Sequence, residues 1–181
     1  MDTLEIGDRV LTQTASGDLV FSRVVMFMDS KPTAIINSYV TVETEISSLE
    51  LTKKHIIFVS KDRMKFEAVF AERVEPGDYI KVLNSNKTKL IEARVTKVQV
   101  RSSIGAFAPL TEEGTLLVNG VLVSCYALTE DLNTAHLSFL PWRYTYEILK
   151  HFAGSKPQTG LHWYVRVLRT INSVLGILPD V

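Results

Sequence analysis

Two stretches of this chain repeat one another. Leu4-Glu5-Ile6-Gly7-Asp8-Arg9-Val10-Leu11, followed by Phe21-Ser22-Arg23-Val24-Val25, is echoed by Val74-Glu75-Pro76-Gly77-Asp78-Tyr79-Ile80-Lys81-Val82, followed by Glu92-Ala93-Arg94-Val95-Thr96. Each copy reads as a Gly-Asp turn, a strand and then a longer strand, so the chain is expected to build two halves related by a pseudo-two-fold axis. The second copy is preceded by a full hairpin, Thr52 through Phe70, whereas only Met1 to Glu5 precede the first. Equivalence of the halves predicts that roughly 25 residues are missing ahead of the first turn.

From Ile6 to about Leu128 the pattern is short strands rich in Val, Ile, Phe and Thr, divided by turn residues. Strands are expected at Val10–Thr12, Leu19–Phe27, Tyr39–Thr44, His55–Val59, Lys65–Phe70, Tyr79–Leu83, Leu90–Val100, Thr115–Val118 and Val121–Ala127. The breaks fall at groups such as Lys31-Pro32, Pro76-Gly77-Asp78 and Asn84-Ser85-Asn86. Asn119-Gly120 between TLLV and VLVSCYAL is the clearest two-residue hairpin signal. The fold class is therefore mainly β, in one domain over residues 1–128.

Beyond Leu128 the period-two pattern is lost. A helix is expected from about Pro141 to Phe152, with Ser138 ahead of the first-turn proline and Gly154 as its stop. Leu161, Tyr164, Val165, Leu168, Ile171, Leu175 and Leu178 share one face of a second helix. Residues 129–181 thus form a helical hairpin. One reading packs it on the β domain; the other turns its aromatic residues toward a lipid or membrane surface, where Trp and Tyr sit well.

The bulk numbers exclude several classes. The 181 residues balance 20 Lys+Arg against 20 Asp+Glu, which argues against nucleic acid as a partner. One cysteine, Cys125, excludes an internal disulfide framework and a cysteine-based zinc cluster, and the four histidines show no metal-ligand spacing. The start Met1-Asp2-Thr3-Leu4-Glu5 lacks the pattern of an export signal, and no apolar run is long enough to span a bilayer. Asn86-Lys87-Thr88 is a glycosylation sequon that matters only in the secretory pathway.

The stretch Leu49 to Val59, LELTKKHIIFV, carries the first chemical signal. Thr52 and His55 stand at a tight bend entering the apolar run Ile56 to Val59, which would hold a hydroxyl and an imidazole beside each other at a sheet edge. Such a pair suits proton transfer to a backbone amide; a structural role for a histidine at a strand end is the competing reading.

Taken in order, IGDRVL (Ile6 to Leu11), VVMFMD (Val24 to Asp29), LTxxH (Leu51 to His55), FAERV (Phe70 to Val74), VRS (Val100 to Ser102), APLTEEGTLLVN (Ala108 to Asn119), SCYA (Ser124 to Ala127), AH (Ala135, His136) and HWY (His162 to Tyr164) span nearly the whole chain. Together they resemble the C-terminal autoprocessing region of hedgehog proteins, a Hint domain followed by a sterol-recognition region. The resemblance implies the pseudo-two-fold Hint (hedgehog/intein) β fold followed by a C-terminal α-helical hairpin. It also implies a self-cleavage reaction: an N-terminal cysteine attacks the preceding glycine carbonyl to give a thioester, and cholesterol's hydroxyl then releases the upstream signalling domain as a sterol ester.

Roles follow from the same resemblance. Thr52 and His55 match the block that assists the first acyl shift, and Asp29 matches the residue needed for sterol transfer, as general base. On the residues alone, Asp29 is equally a turn former before Lys31-Pro32. Cys125 matches the family's second cysteine, able to exchange a disulfide with the nucleophile, or is a small buried residue in SCYAL. Trp142, Tyr146, Trp163, Tyr164 and Leu168 are the candidates for sterol or membrane contact. No cofactor or metal is implied; cholesterol is a co-substrate. Expected partners are cholesterol, a covalently preceding signalling domain and a membrane surface, with the chain a monomer passing through the secretory pathway. The family's nucleophile and its glycine have no counterpart in this sequence, whose bend also carries Lys53-Lys54 where the family has a proline and a small residue. The chain alone is therefore expected not to cleave itself. The rival expectation is a non-catalytic β module with a lipid-binding helical tail; a splicing element is disfavoured because Leu178-Pro179-Asp180-Val181 is not a His-Asn end.

Overall fold

A computed structural model describes residues 3–127, 136–149 and 158–175. Ten strands form the β domain: β1 (Arg9–Gln13), β2 (Leu19–Thr44), β3 (Ser48–Thr52), β4 (His55–Ser60), β5 (Glu67–Phe70), β6 (Tyr79–Leu83), β7 (Leu90–Thr111), β8 (Thr115–Val118), β9 (Val121–Ala127) and β10 (Gly160–Leu161). The described residues also include the helices α1 (Leu140–Leu149) and α2 (Trp163–Leu175), helical backbone at 136–138, and a short 3-10 turn over Ala71–Arg73. Strands pair in the order β1-β2-β7-β6-β4-β9-β8, with β3 and β10 added to β2 and β5 added to β4. The Thr12 hydroxyl lies 2.6 Å from that of Thr115, so the two ends of this order, β1 and β8, meet.

The repeat is a repeat of atoms. Gly7 N–H donates to Val24 O at 2.8 Å and Gly77 N–H to Val95 O at 2.8 Å. Val24 N–H returns to Asp8 O at 2.8 Å, and Val95 N–H to Asp78 O at 2.7 Å. The Asp8 carboxylate accepts the Glu5 N–H at 2.8 Å, as that of Asp78 accepts the Glu75 N–H at 2.9 Å. Both glycines adopt the left-handed region, at φ 101° and 102°, where a Cβ would be strained. Each turn feeds a short strand paired to a long one, β1 to β2 and β6 to β7. The long strands β2 and β7 pair with each other from Val24↔Thr111 to Thr44↔Val95 and form the spine joining the halves.

Apolar patterning explains the burial. Val24, Val25 and Met26 are fully buried, a continuous run that a strand covered on both faces requires. β3 and β6 alternate instead, with Leu49, Leu51, Ile80 and Val82 turned inward. The Asn119-Gly120 hairpin forms as expected: Val118 pairs with Val121, and both turn residues have positive φ, 50° and 79°.

Four expectations change. Lys31-Pro32 does not break the chain, because β2 runs on through it, and Asp29 lies inside a strand rather than at its end. The ladder is irregular between Lys31↔Ala106 and Ile35↔Ile104, so Pro32 sits where no N–H is called for. Ser48–Thr52 is an additional strand, and β4 has β5 on one side and β6 and β9 on the other, so His55 opens an interior strand rather than an edge. Leu161 belongs to β10 and not to the helix face, since Gly160 at φ 92° turns the chain onto β2. Finally, Ile171 is exposed rather than packed. The boundary at residues 128/129, Ala135, Phe152, Gly154 and Leu178 lie outside the described residues, as does the side chain of Leu175.

Candidate functional site

β3 ends at Thr52 and β4 starts at His55, so the two-residue bend Lys53-Lys54 separates them. Thr52 pairs with Tyr39 of β2, and His55 pairs with Ala127 of β9. The His55 Nε2–H donates to the Ser124 carbonyl at 2.9 Å. This bond fixes the tautomer and leaves Nδ1 with a lone pair. Burial lowers the His55 pKa, opposed by the carbonyl that would favour the imidazolium. Among the described residues no hydrogen bond joins the Thr52 hydroxyl to the ring.

Asp29 is in register with Ala108 of β7 on one side and Leu161 of β10 on the other. Its Oδ2 pairs with Lys31 Nζ at 2.8 Å, while Oδ1 is buried and has no hydrogen-bond partner among the described residues. An acceptor left open in this way costs free energy in a resting protein and suits a hydroxyl donor. The same stretch of β2 receives the C-terminal region: His162 N–H donates to Met28 O at 2.9 Å, and Trp142 Nε1–H donates to Val25 O at 3.2 Å. His162 then starts α2, its carbonyl accepting from Arg166 N–H at 3.1 Å and its Nδ1 from Tyr164 N–H at 3.3 Å.

Cys125 is buried, 3.5 Å from the Thr111 hydroxyl, and burial pushes its thiol up to about 11. In the folded chain it is a protonated core residue and a poor nucleophile. Trp142 and Tyr146 are also buried. Trp142 packs against His162, Trp163 and Tyr164 at ring distances of 5.0, 5.9 and 5.7 Å. Tyr146 lies under the Arg23 guanidinium, and its hydroxyl would stand 3.3 Å from a Cβ at Gly7. Tyr164 and Leu168 are partly buried against the core, and Trp163 is 56% exposed. Among the described residues the exposed large apolar side chains of this region are Leu137, Leu140, Tyr144, Ile148, Trp163, Val167 and Ile171, of which the aromatic Tyr144 and Trp163 and the helix-face Ile171 stand out in the sequence. Among the described residues no group of side chains is arranged to hold a metal ion, and no helix is long and apolar enough to cross a membrane.

A second polar cluster ties the C-terminal region to β9. Arg143 donates to His136 Nε2 at 2.6 Å and to Glu112 O at 2.8 Å, and His136 Nδ1–H donates to the Tyr126 hydroxyl at 3.0 Å. The sequence motifs SCYA and AH contain Tyr126 and His136, but no local signal joins them to Arg143. Burial and the facing guanidinium lower the His136 pKa, and burial lowers that of His162. Both rings are therefore neutral in the fold, and their contribution to stability is present above the ordinary imidazole value and lost as pH falls. Acidification from about pH 7 to about pH 5 should loosen this region by placing an imidazolium against Arg143. The only two tryptophans, Trp142 and Trp163, both lie in it, so a red shift of tryptophan emission over that range is the expected reading. Emission unchanged to pH 5 would contradict it.

The pseudo-two-fold β fold is the fold of inteins. Solved structures with the same fold include an intein from a hyperthermophile, at TM-score 0.54 and 19% identity over 64% of this chain and 70% of that one. The PabCDC21-1 intein aligns at TM-score 0.54 and 17% identity, over 66% of this chain and 70% of that one. The chain belongs to the Hint module family, whose profile matches residues 1–177. Within that family it is similar to the Indian hedgehog protein of Xenopus laevis, 39% identical over an alignment of 173 positions that covers 91% of this chain and 41% of that protein. The hedgehog protein of Drosophila yakuba is 37% identical over an alignment of 192 positions, gaps included, covering 98% of this chain and 41% of that protein. The chain thus spans about two-fifths of the length of these curated relatives.

Proposed function

We propose that this chain is the processing module of a hedgehog-type precursor, which cleaves itself through a thioester and transfers cholesterol to the upstream signalling domain. A cysteine carried ahead of the Gly7 turn attacks the carbonyl before it, the acyl group moves from nitrogen to sulfur, and His55 delivers the proton that the amide nitrogen gains. The sterol hydroxyl then attacks the thioester, giving up its proton to Asp29, and the ester leaves as the thiolate departs. Cys125 does not serve as this nucleophile, because its thiol is buried and an acyl shift there would cut within SCYAL.

The observation carrying this reading is the register of Asp29 with Leu161: the residue assigned to sterol transfer lies beside the segment assigned to sterol recognition. Its open Oδ1 supports the role of proton acceptor. The exposed side chains Tyr144, Trp163 and Val167 are suited to the surface of a sterol-bearing membrane, and the precursor travels through the secretory pathway.

A fusion with a reporter, a Gly-Cys junction and a strand-forming segment ahead of residue 1 tests the proposal. Thiol alone should release the reporter, and cholesterol should release it as a sterol ester of increased mass. Asp29→Asn is expected to keep thiol release and lower sterol transfer by about 100-fold or more. Undiminished transfer in that variant would remove Asp29 from the mechanism. A parent fusion that released nothing with thiol would favour the non-catalytic module with a lipid-binding tail.

A further inference from the structure

The hairpin joining β6 to β7 carries the sequon Asn86-Lys87-Thr88, the one Asn-x-Ser/Thr triplet of the 181 residues. We infer that Asn86 is an attachment site for an N-linked oligosaccharide, an inference that rests on the secretory route of the proposed precursor. The loop holds its shape without the Asn86 side chain. Asn84 N–H donates to Lys89 O at 2.9 Å and Lys87 N–H to Asn84 O at 2.9 Å, which places Asn86 at the third position of a turn. Lys87 follows in the left-handed region, at φ 56°. The side chain that locks the loop is Asn84, whose Oδ1 accepts from Thr88 N–H at 2.8 Å and Lys89 N–H at 3.2 Å and whose Nδ2–H donates to the Thr88 hydroxyl at 3.0 Å. Asn86 is exposed, as are Ser85, Lys87, Thr88 and Lys89 beside it. Among the described residues a glycan on its Nδ2 therefore replaces no hydrogen bond of the loop.

The position also spares the reaction. Leu83 N–H donates to Gly120 O at 2.7 Å, so the loop lies beside the Asn119-Gly120 turn. From there β9 runs from Val121, paired with Val82, to Ala127, paired with His55. Six extended residues put about 20 Å between the two ends. The glycan stands at the end of the domain away from His55.

In the attachment step the Asn86 Nδ2 forms a bond to the anomeric carbon of a lipid-linked oligosaccharyl pyrophosphate. The carbon–oxygen bond to the pyrophosphate breaks, one amide proton is lost and the lipid pyrophosphate leaves. Oligosaccharyltransferase of the host membrane supplies this activity.

The test is expression of the 181-residue chain behind a cleavable signal sequence in a eukaryotic secretory cell, read by mobility and intact mass with and without peptide-N-glycosidase. A single glycosidase-sensitive addition is expected, lost in Asn86→Gln and Thr88→Val and kept in Thr88→Ser. Signal-cleaved chain of unmodified mass would overturn the site, as would an addition that survives Asn86→Gln. The longer precursor on its own leader separates the two readings: its failure to carry a glycan that the signal-fused chain does carry would refute the secretory route and leave the site intact.

Discussion

His55→Ala in the fusion described above should lower the rate of thiol-induced cleavage by about 100- to 10,000-fold, the usual contribution of a positioned general acid–base group. The Nε2–H is committed to the Ser124 carbonyl, so proton traffic runs through Nδ1. In the proposed mechanism that nitrogen takes the proton of the attacking thiol and, as the imidazolium, hands it to the departing amide nitrogen. Because burial lowers the ring's pKa, the imidazolium once formed is a stronger acid than in water, which favours the second transfer. The variant should fold, since β4 is held mainly by Ile56 and Ile57, both fully buried, and near-ultraviolet circular dichroism checks this. A folded His55→Ala fusion that cleaved at the parent rate would end the assignment.

Trp142→Ala should separate the two chemical steps. The indole is 7% exposed, donates to Val25 O and touches three neighbouring rings. Truncating a buried tryptophan costs about 3–5 kcal/mol, and here the freed carbonyl adds the cost of an unpaired acceptor. The loss falls on the docking of α1 and β10 against β2, while the β2–β7 spine and the β3–β4 bend keep their pairings. The expected result is sterol transfer reduced to background, thiol release retained, and faster proteolysis within residues 136–175. Loss of thiol release as well would mean that the β domain needs this region in order to fold.

What local residues dictate was legible in the sequence. The Gly7-Asp8 and Gly77-Asp78 turns need only a residue tolerant of positive φ and a carboxylate able to reach the N–H three positions back. Repetition of that unit was enough to predict two related halves, and Asn119-Gly120 a hairpin, because both depend on neighbours in the chain. The apolar runs marked the core strands for the same reason, and the Lys53-Lys54 bend with its flanking Thr52 and His55 was visible as an interruption of them.

Tertiary structure decided the rest through partners remote in sequence. Pro32 lies in a strand because the ladder to β7 skips its position, which no local preference reveals. Leu161 left the helix it resembles because Gly160 lets it pair with Asp29. That pairing brings the C-terminal region to the carboxylate across more than a hundred residues. His55 gains its tautomer from Ser124, and Arg143 its carbonyl partner from Glu112, only once the strands and α1 are in place. Residue types and spacing thus set the turns, the core and the candidate groups, whereas which atoms those groups face was fixed by long-range pairing of strands, whose free energy is gained only when the whole sheet closes.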